Sequence, residues 1–174
     1  VENVYETGYE WVNHSLNPKQ MDHADVRITV GGPECKQPYS ASLLNISAMS
    51  YGALSKNAVI ALNHGAKMGG FAHNTGEGGI SPHHLQGGDL IWQVGTGYFG
   101  CRDDGGNFNP DSFAEKANNE QVKMIEIKLS QGAKPGHGGI LPAAKLTKEI
   151  AEIRDVPMGK DVNSPPGHTA FSNP

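Results

Sequence analysis

The chain has only two cysteines, Cys35 and Cys101. Two thiols are too few for the disulfide framework of a small secreted protein, which favours the reducing environment of the cytoplasm. They are also too few to hold an iron–sulfur cluster unaided. We therefore expect a cytoplasmic protein, in which any iron–sulfur cluster would depend on cysteines from a further C-terminal part.

Long apolar runs and an excess of positive charge are also absent. No apolar run approaches the roughly 20 residues that cross a bilayer, and residues 1–10 are polar and acidic rather than a signal peptide. The formal net charge is −4 and no basic stripe occurs, which argues against a nucleic-acid partner. We expect no membrane segment in this chain and no nucleic-acid partner.

Several familiar site patterns are missing. The chain has eight histidines, but none stands in a His-x-x-x-His spacing, and no Cys-x-x-Cys pair occurs, so no metal site is predicted. No Gly-x-Ser-x-Gly elbow presents a serine nucleophile. Neither a phosphate-binding P-loop nor a Gly-x-Gly-x-x-Gly motif opening a helix is present, which excludes the usual nucleotide signatures.

Glycine and proline, in contrast, are abundant. The 174 residues include 23 Gly and 11 Pro, while apolar residues make up 37%. Such a composition is often that of disordered sequence. Here, however, the glycines and prolines fall in clusters between apolar runs, which indicates ordered loops on a folded scaffold.

Strand and helix patterns alternate along the chain. Short apolar runs predict strands, and N-cap residues Ser55, Asn109 and Thr147 begin helices that end near residues 68, 118 and 154. This order predicts an α/β fold with a parallel sheet and outer helices. A closed (β/α)₈ barrel needs about 250 residues, more than the 174 of this chain. Two alternatives are therefore left, a small open α/β domain and part of a barrel. The predicted strands are 26–30, 43–49, 70–73, 89–95 and 122–129.

Three glycine-containing loops follow predicted strands, at 47–52, 74–79 and 128–139. The carboxyl ends of strands are where α/β folds hold ligands, and glycine lets backbone N–H groups approach an anion. Lys128 and Lys134 add positive charge, and Arg154 adds a fork suited to a carboxylate. These loops predict an anionic ligand. The alternative is that they are tight turns and that Lys134 and Arg154 are solvated surface charges.

The same loops resemble the FMN domain of glutamate synthases, particularly the shorter stand-alone proteins that lack a fused amidotransferase domain. The resemblance runs from about residue 32 to the end, in the family's order. It rests on Ile-Ser-Ala-Met-Ser-Tyr-Gly-Ala-Leu-Ser at 46–55, Asn-Thr-Gly-Glu-Gly-Gly at 74–79 and Ile-Lys-Leu-Ser-Gln-Gly-Ala-Lys-Pro-Gly at 127–136. Further matches are Gly138-Gly139, Leu141-Pro142 and Ser164-Pro165-Pro166 with His168.

The resemblance implies an α/β fold that is part of an FMN-binding TIM (β/α)₈ barrel, incomplete in this chain. Residues 1–40 would be an N-terminal arm with one hairpin-like piece, and 41–174 the N-terminal portion of the barrel. The implied reaction is the reductive amination of 2-oxoglutarate, a small dicarboxylate, to glutamate through 2-iminoglutarate. The electron donor and the ammonia source stay open, and a homo-oligomer is compatible with the sequence.

The resemblance also implies site residues. The residues expected to bind FMN are Ser47, Ala48, Met49, Ser50, Thr75, Gln93, Lys128 and Gln131. Backbone N–H groups of 48–50 would lie along the flavin, with Lys128 near its N1/O2 edge. Those expected to bind the substrate are Met49, Ser50, Lys134 and Arg154. The catalytic residues would be Lys128 and Glu77, the latter positioning ammonia or the imine.

The third loop departs from the family pattern. The resembled synthases read Gly-Glu-Gly-Gly-Gln-Leu-Pro there, whereas His137 and Ile140 replace the Glu and the Gln. Because that Gln touches the oxo acid, one alternative is an FMN-dependent reaction on another small acid. Another is a non-catalytic segment without flavin, since part of a barrel leaves strand edges exposed. The isolated 174-residue chain is expected to be inactive.

Overall fold

A computed structural model describes residues 26–134 and 136–172, together with 13–20 and the single residues 5, 8 and 22. Most of 1–25 in the predicted N-terminal arm, and Pro135 in the third loop, lie outside the described residues. The described fold is mixed α/β. Its elements are β1 (Arg27–Val30), β2 (Tyr39–Ser42), α1 (Lys56–Gly69), β3 (His73–Asn74), β4 (Leu90–Val94), α2 (Pro110–Ala117), β5 (Val122–Ile127), β6 (Ile140–Leu141), α3 (Lys148–Arg154) and β7 (Val162–Asn163).

A three-stranded parallel sheet in the order β3-β4-β5 forms the centre of the fold. A single parallel bridge from Ile46 to His73 extends it by one position. The predicted parallel pairing is therefore confirmed for β3, β4 and β5, in chain order. In a parallel arrangement all carboxyl ends meet at one edge, so the loops that begin at residues 47, 75, 95 and 128 lie side by side.

The strand predicted at 43–49 is wrong except at Ile46. Ile46 keeps backbone bonds to Ala72 and Asn74, but residue 45 pairs through its side chain: Asn45 Oδ1 accepts from Ala72 N at 2.9 Å, and its Nδ2 donates to Ser42 O at 2.8 Å. The bond to Ser42, three residues away, is a local one, and local side-chain bonds compete with sheet formation. Leu43 and Leu44, at the start of this predicted strand, are 63% and 72% exposed.

The strand predicted at 70–73 begins later, at His73. Gly70 ends α1 in the left-handed conformation, with φ of 64° and its N–H donating to Ala66 O. A glycine in this conformation is a common helix C-cap because it has no Cβ to clash. Gly70 therefore belongs to the helix end.

The three helix starts are confirmed. The side chains of Ser55 and Thr147 accept from the backbone N–H three residues ahead, and Asn109 accepts from Asp111 N and Ser112 N. Each cap satisfies an N–H that would otherwise have no partner in the first turn. Two small antiparallel pairs lie outside the central sheet: the hairpin of β1 with β2 was predicted in part, and β6 with β7 was not.

Two apolar clusters hold these elements together. One lies under β4 and α2, and contains Trp92, Val94, Tyr98 and Cys101, with Phe108 and Phe113 packed against it. The other joins α3 to β6 and β7, and contains Phe99, Leu141, Leu146, Ile150, Ala151 and Val162. Because Phe99 follows β4, the second cluster fixes α3 beside the carboxyl edge of the sheet. Within the described residues, no helix has the length and apolar character needed to cross a membrane.

Candidate functional site

A polar cluster joins the loops after β3 and β5. Lys128 Nζ lies 3.2 Å from Glu77 Oε1 and 2.9 Å from Gln131 Oε1, and Gln131 Nε2 donates to Glu77 Oε1 at 2.7 Å. The side chains of Lys128 and Glu77 are 26% and 21% exposed. The fold thus brings Glu77, Lys128 and Gln131 into contact with one another. Partial burial strengthens the ion pair of Lys128 with Glu77 relative to one on the open surface.

A pocket of about 180 Å³ opens beside this cluster. Its polar lining includes five residues predicted from the sequence, namely Ser50, Glu77, Gln131, Lys134 and Arg154. Its apolar wall is formed by Ala53, Phe99, Ile140, Leu141 and Val162. We refer to this cavity as the oxo-acid pocket, after the ligand that the resemblance implies.

Arg154 forms a buried part of the wall of the oxo-acid pocket. It is 7% exposed, its Cζ lies 5.2 Å from the centre of the Phe99 ring, and its Nη2 donates to Tyr51 O at 3.4 Å. Its buried Nε–H has no partner in the described structure. Burial lowers the pKa of the guanidinium, while Glu77 raises it. The alternative of a solvated surface charge is therefore wrong for Arg154.

Lys134 also lines the oxo-acid pocket, but it is exposed. An ammonium group at a pocket rim loses little hydration, and its flexible stem lets it contact an anionic ligand. The two cations expected to bind the substrate thus differ in burial: Arg154 is buried in the wall, whereas Lys134 is exposed.

A second pocket, of about 340 Å³, lies on the other side of the loop 47–50. The predicted FMN residues Ser47, Ala48 and Gln93 line it, with Asn74 and Glu126. Glu126 accepts from Asn74 Nδ2 at 3.0 Å and from Gln93 Nε2. Gln93 Oε1 is buried and has no partner in the described structure. A buried acceptor without a partner is costly, so a donor on a bound ligand would satisfy it.

Two predicted FMN residues are engaged within the protein. Thr75 is wholly buried; its Oγ1 donates to Gly76 O at 2.9 Å and accepts from Gln93 N at 3.1 Å. Met49 N donates to Asn74 O at 3.1 Å, so this N–H is not free to lie along a flavin as expected. Thr75 therefore supports Gln93, and Met49 fixes its own loop.

Two histidines that sequence reasoning did not place in a site hold these loops. His84 Nε2 lies 3.0 Å from Met49 O, and His168 Nε2 lies 2.9 Å from Lys128 O. Tyr98 OH accepts from Thr169 N and Ala170 N at 3.1 Å each and lies 3.0 Å from His168 Nδ1. Neither histidine has a local sequence signal for this role, because each acts on a distant carbonyl.

Comparison with known proteins identifies relatives of this chain. The family model described as a conserved region in glutamate synthase matches residues 10–174. The glutamate synthase large subunit-like protein YerD of Bacillus subtilis is 45% identical over 155 residues, which cover 87% of this chain and 29% of that protein. An archaeal-type glutamate synthase [NADPH] of Thermotoga maritima is 41% identical over 128 residues, covering 72% and 23%.

A third relative, the archaeal glutamate synthase [NADPH] of Methanocaldococcus jannaschii, is 35% identical over 170 residues, which cover 94% of this chain and 29% of that protein. The chain thus spans less than a third of the length of each of these relatives. The match to the family model nevertheless extends over almost all of the chain, and the three loops that line the two pockets fall inside it. On this evidence the chain belongs to the glutamate synthase family.

Proposed function

We propose that this chain is the flavin-binding part of an FMN-dependent oxidoreductase that aminates 2-oxoglutarate to glutamate through 2-iminoglutarate. The observation that carries the proposal is the Glu77–Lys128–Gln131 cluster, which lies beside the oxo-acid pocket with its buried arginine. The Glu77 carboxylate, the Gln131 amide and two cations converge at the carboxyl edge of a parallel sheet, where such folds bind ligands. The cations are Lys128 and Arg154.

The fold that we propose for the whole protein is a TIM barrel, of which the described sheet supplies consecutive strands. The exposed apolar side chains of β5 support this, since Ile125 and Ile127 are 38% and 49% exposed. An uncovered apolar strand at a sheet edge is a liability that further strands remove.

The residues around the second pocket fit an FMN ring system. Gln93 Oε1 offers a buried acceptor that has no partner among the described residues, and Ser47 and Ala48 are exposed residues of the pocket lining. FMN, when bound, would supply the hydride for reduction of the imine. Lys128 would stabilise negative charge, since a fixed cation in a partly buried site is effective against charge that develops during reaction.

In the oxo-acid pocket the chain would hold a dicarboxylate at both ends. Arg154 lines the pocket with a buried guanidinium whose Nε–H has no partner among the described residues, which suits one carboxylate, and Lys134 would bind the other from the rim. Each such charge-assisted contact contributes roughly 1.5–3 kcal/mol. Ser50, on the loop shared by both pockets, adds a hydroxyl.

Glu77 is the residue that we assign to ammonia. Its Oε1 already accepts from Lys128 and Gln131, so the carboxylate is held in one orientation. The other oxygen, Oε2, packs against Gly95, where a Cβ would lie only 2.7 Å away. A charged carboxylate at this point can accept hydrogen bonds from ammonia or from the protonated imine and can take up a proton during the addition.

A second candidate is the same flavin chemistry on another small acid. Ile140 favours it, because this apolar side chain lines the oxo-acid pocket and is 65% exposed. It stands where the resembled synthases have a Gln. An apolar contact at this position favours an acid with an apolar part over a second carboxylate.

The test is the flavin content of the longest natural polypeptide that contains this chain. We expect an oxidised-flavin absorption spectrum after purification, FMN as the flavin released on denaturation, and bleaching by NADPH, the donor in the names of two relatives. A colourless protein that cannot be reconstituted with FMN would refute the proposal and favour the non-catalytic alternative.

A further inference from the structure

His84 is wholly buried behind the loop 47–50 and lines neither of the two pockets described above. Its Nδ1 lies 3.1 Å from Ser81 N and 2.8 Å from Ser81 Oγ, while its Nε2 lies 3.0 Å from Met49 O. A backbone N–H can only donate, so Nδ1 must be the unprotonated nitrogen. The proton is therefore on Nε2, which donates to the Met49 carbonyl.

The surroundings keep this ring neutral and in one tautomer. Burial lowers the pKa of His84 and the neighbouring His83 lowers it further, while the bond to Met49 raises it. The ring of His73 lies 5.3 Å away, and burial lowers the pKa of His73 to about 4. A proton added at Nδ1 would face the Ser81 N–H, so the geometry itself opposes protonation.

The bond from His84 completes the fixation of Met49. On one side Met49 N donates to Asn74 O; on the other, Met49 O accepts from His84. The peptide groups on both sides of Met49 are thereby oriented. These peptides separate Ser47 and Ala48, which line the second pocket, from Ser50, which lines the oxo-acid pocket.

We propose that His84 is a positioning residue that fixes the loop 47–50 for flavin and oxo-acid binding. This inference rests on the function proposed above for the two pockets. His84 contacts neither ligand in this arrangement. It holds the Met49 carbonyl so that the residues on either side of Met49 face their separate pockets.

The competing explanation is that His84 only stabilises the short 3₁₀ turn Pro82–His84, through its bonds to Ser81. Two substitutions separate the roles. In His84→Gln the longer amide can place its N–H near the Nε2 position and keep the bond to Met49. In His84→Asn the shorter amide can place its oxygen near the Nδ1 position and keep the bond from Ser81, but it cannot reach Met49.

Both variants are to be made in the longest natural polypeptide, with thermal unfolding as the check on folding. We expect His84→Asn to weaken FMN binding by about tenfold, the equivalent of one buried hydrogen bond, and to raise the KM for the oxo acid. We expect His84→Gln to stay within about threefold of wild type, as one retained bond allows. Equal losses in both variants, or none in His84→Asn, would overturn the proposal.

Amide hydrogen exchange of a peptide covering 47–50 tests the same idea without flavin. Exchange should be about tenfold faster in His84→Asn than in His84→Gln, because only the former releases the loop. If wild type proves to contain no flavin while this contrast is observed, the proposed function fails and the positioning role stands. Equal exchange rates in His84→Asn and His84→Gln would refute the positioning role, whatever the flavin content.

If neither variant folds, nitrogen NMR of the wild-type histidines decides the matter. We expect His84 to show protonated Nε2 and unprotonated Nδ1 across the neutral pH range. The opposite tautomer, or titration near the ordinary histidine pKa, would contradict the proposed bond to Met49.

Discussion

The close approach of Gly78 to Arg154 makes Gly78→Ala a local perturbation of the oxo-acid pocket. A Cβ at Gly78 would lie 2.9 Å from Arg154 Nη2, 3.2 Å from its Cζ and 3.3 Å from Ser50 Cβ. Alanine itself fits the backbone, because Gly78 is not among the residues with a left-handed conformation. The added methyl group must therefore push the guanidinium away by several tenths of an ångström.

The size of the effect follows from the contact that is lost. A hydrogen bond between a charged donor and a carboxylate contributes about 1.5–3 kcal/mol, and each 1.4 kcal/mol is about tenfold in affinity. We therefore expect Gly78→Ala to raise the KM for the oxo acid by about 10- to 100-fold. The flavin spectrum should stay unchanged, because Gly78 lines neither pocket directly.

The assay is the rate at which the reduced protein is reoxidised at increasing concentrations of 2-oxoglutarate with ammonia. The matched control is Gly132→Ala in the neighbouring loop, where a Cβ would meet no described atom within 4 Å, and which should leave the KM as in wild type. If Gly78→Ala also leaves the KM unchanged, Arg154 does not bind the substrate carboxylate and the assignment of the pocket is refuted.

Three further outcomes are expected. Lys128→Met should lower FMN content or slow flavin reduction by about tenfold, because the positive charge proposed to lie beside the reduced flavin is lost; unchanged content and rate would remove Lys128 from the site. Lys134→Ala should raise the oxo-acid KM by about 10- to 100-fold with the spectrum intact, and unaltered kinetics would favour another small acid. Burial lowers the pKa of His73 from 6.5 to about 4 in the folded protein. The free energy of unfolding should therefore be at its full value above about pH 6.5 and should fall by about 3 kcal/mol as the pH is lowered towards 4. Hydrogen exchange around residues 58–74 should show this loss of stability at low pH, and in His73→Gln the stability should depend less on pH. A wild-type stability that does not change with pH would contradict the prediction.

Local signals in the sequence predicted the helices well. The caps Ser55, Asn109 and Thr147 act on N–H groups two or three residues away, so a short stretch of sequence contains the whole interaction. The strands β4 and β5 were also predicted, because both are short, largely apolar segments bounded by turn residues. The strand expected at 43–49 failed because Asn45 bonds to a distant residue, Ala72, which no local pattern reveals.

Only those residues of the candidate site that lie in the sequence motifs could be predicted. Glu77, Lys128 and Gln131 fall in resembled loops, and the structure brings them into contact. The burial of Arg154 was not predictable from its place in the last turn of a helix, since it depends on Phe99 and on the nearby glycines of other loops. The positions of His84 and His168 depend likewise on contacts 35 and 40 residues away.

The central claim is most directly tested by one turnover of the longest natural polypeptide carrying this chain. The protein is reduced under anaerobic conditions and mixed with 2-oxoglutarate and ¹⁵N-ammonium. The account predicts reoxidation of the flavin together with an equimolar amount of ¹⁵N-glutamate. Flavin that stays reduced, or that is reoxidised without formation of labelled glutamate while another oxo acid supports turnover, would contradict it.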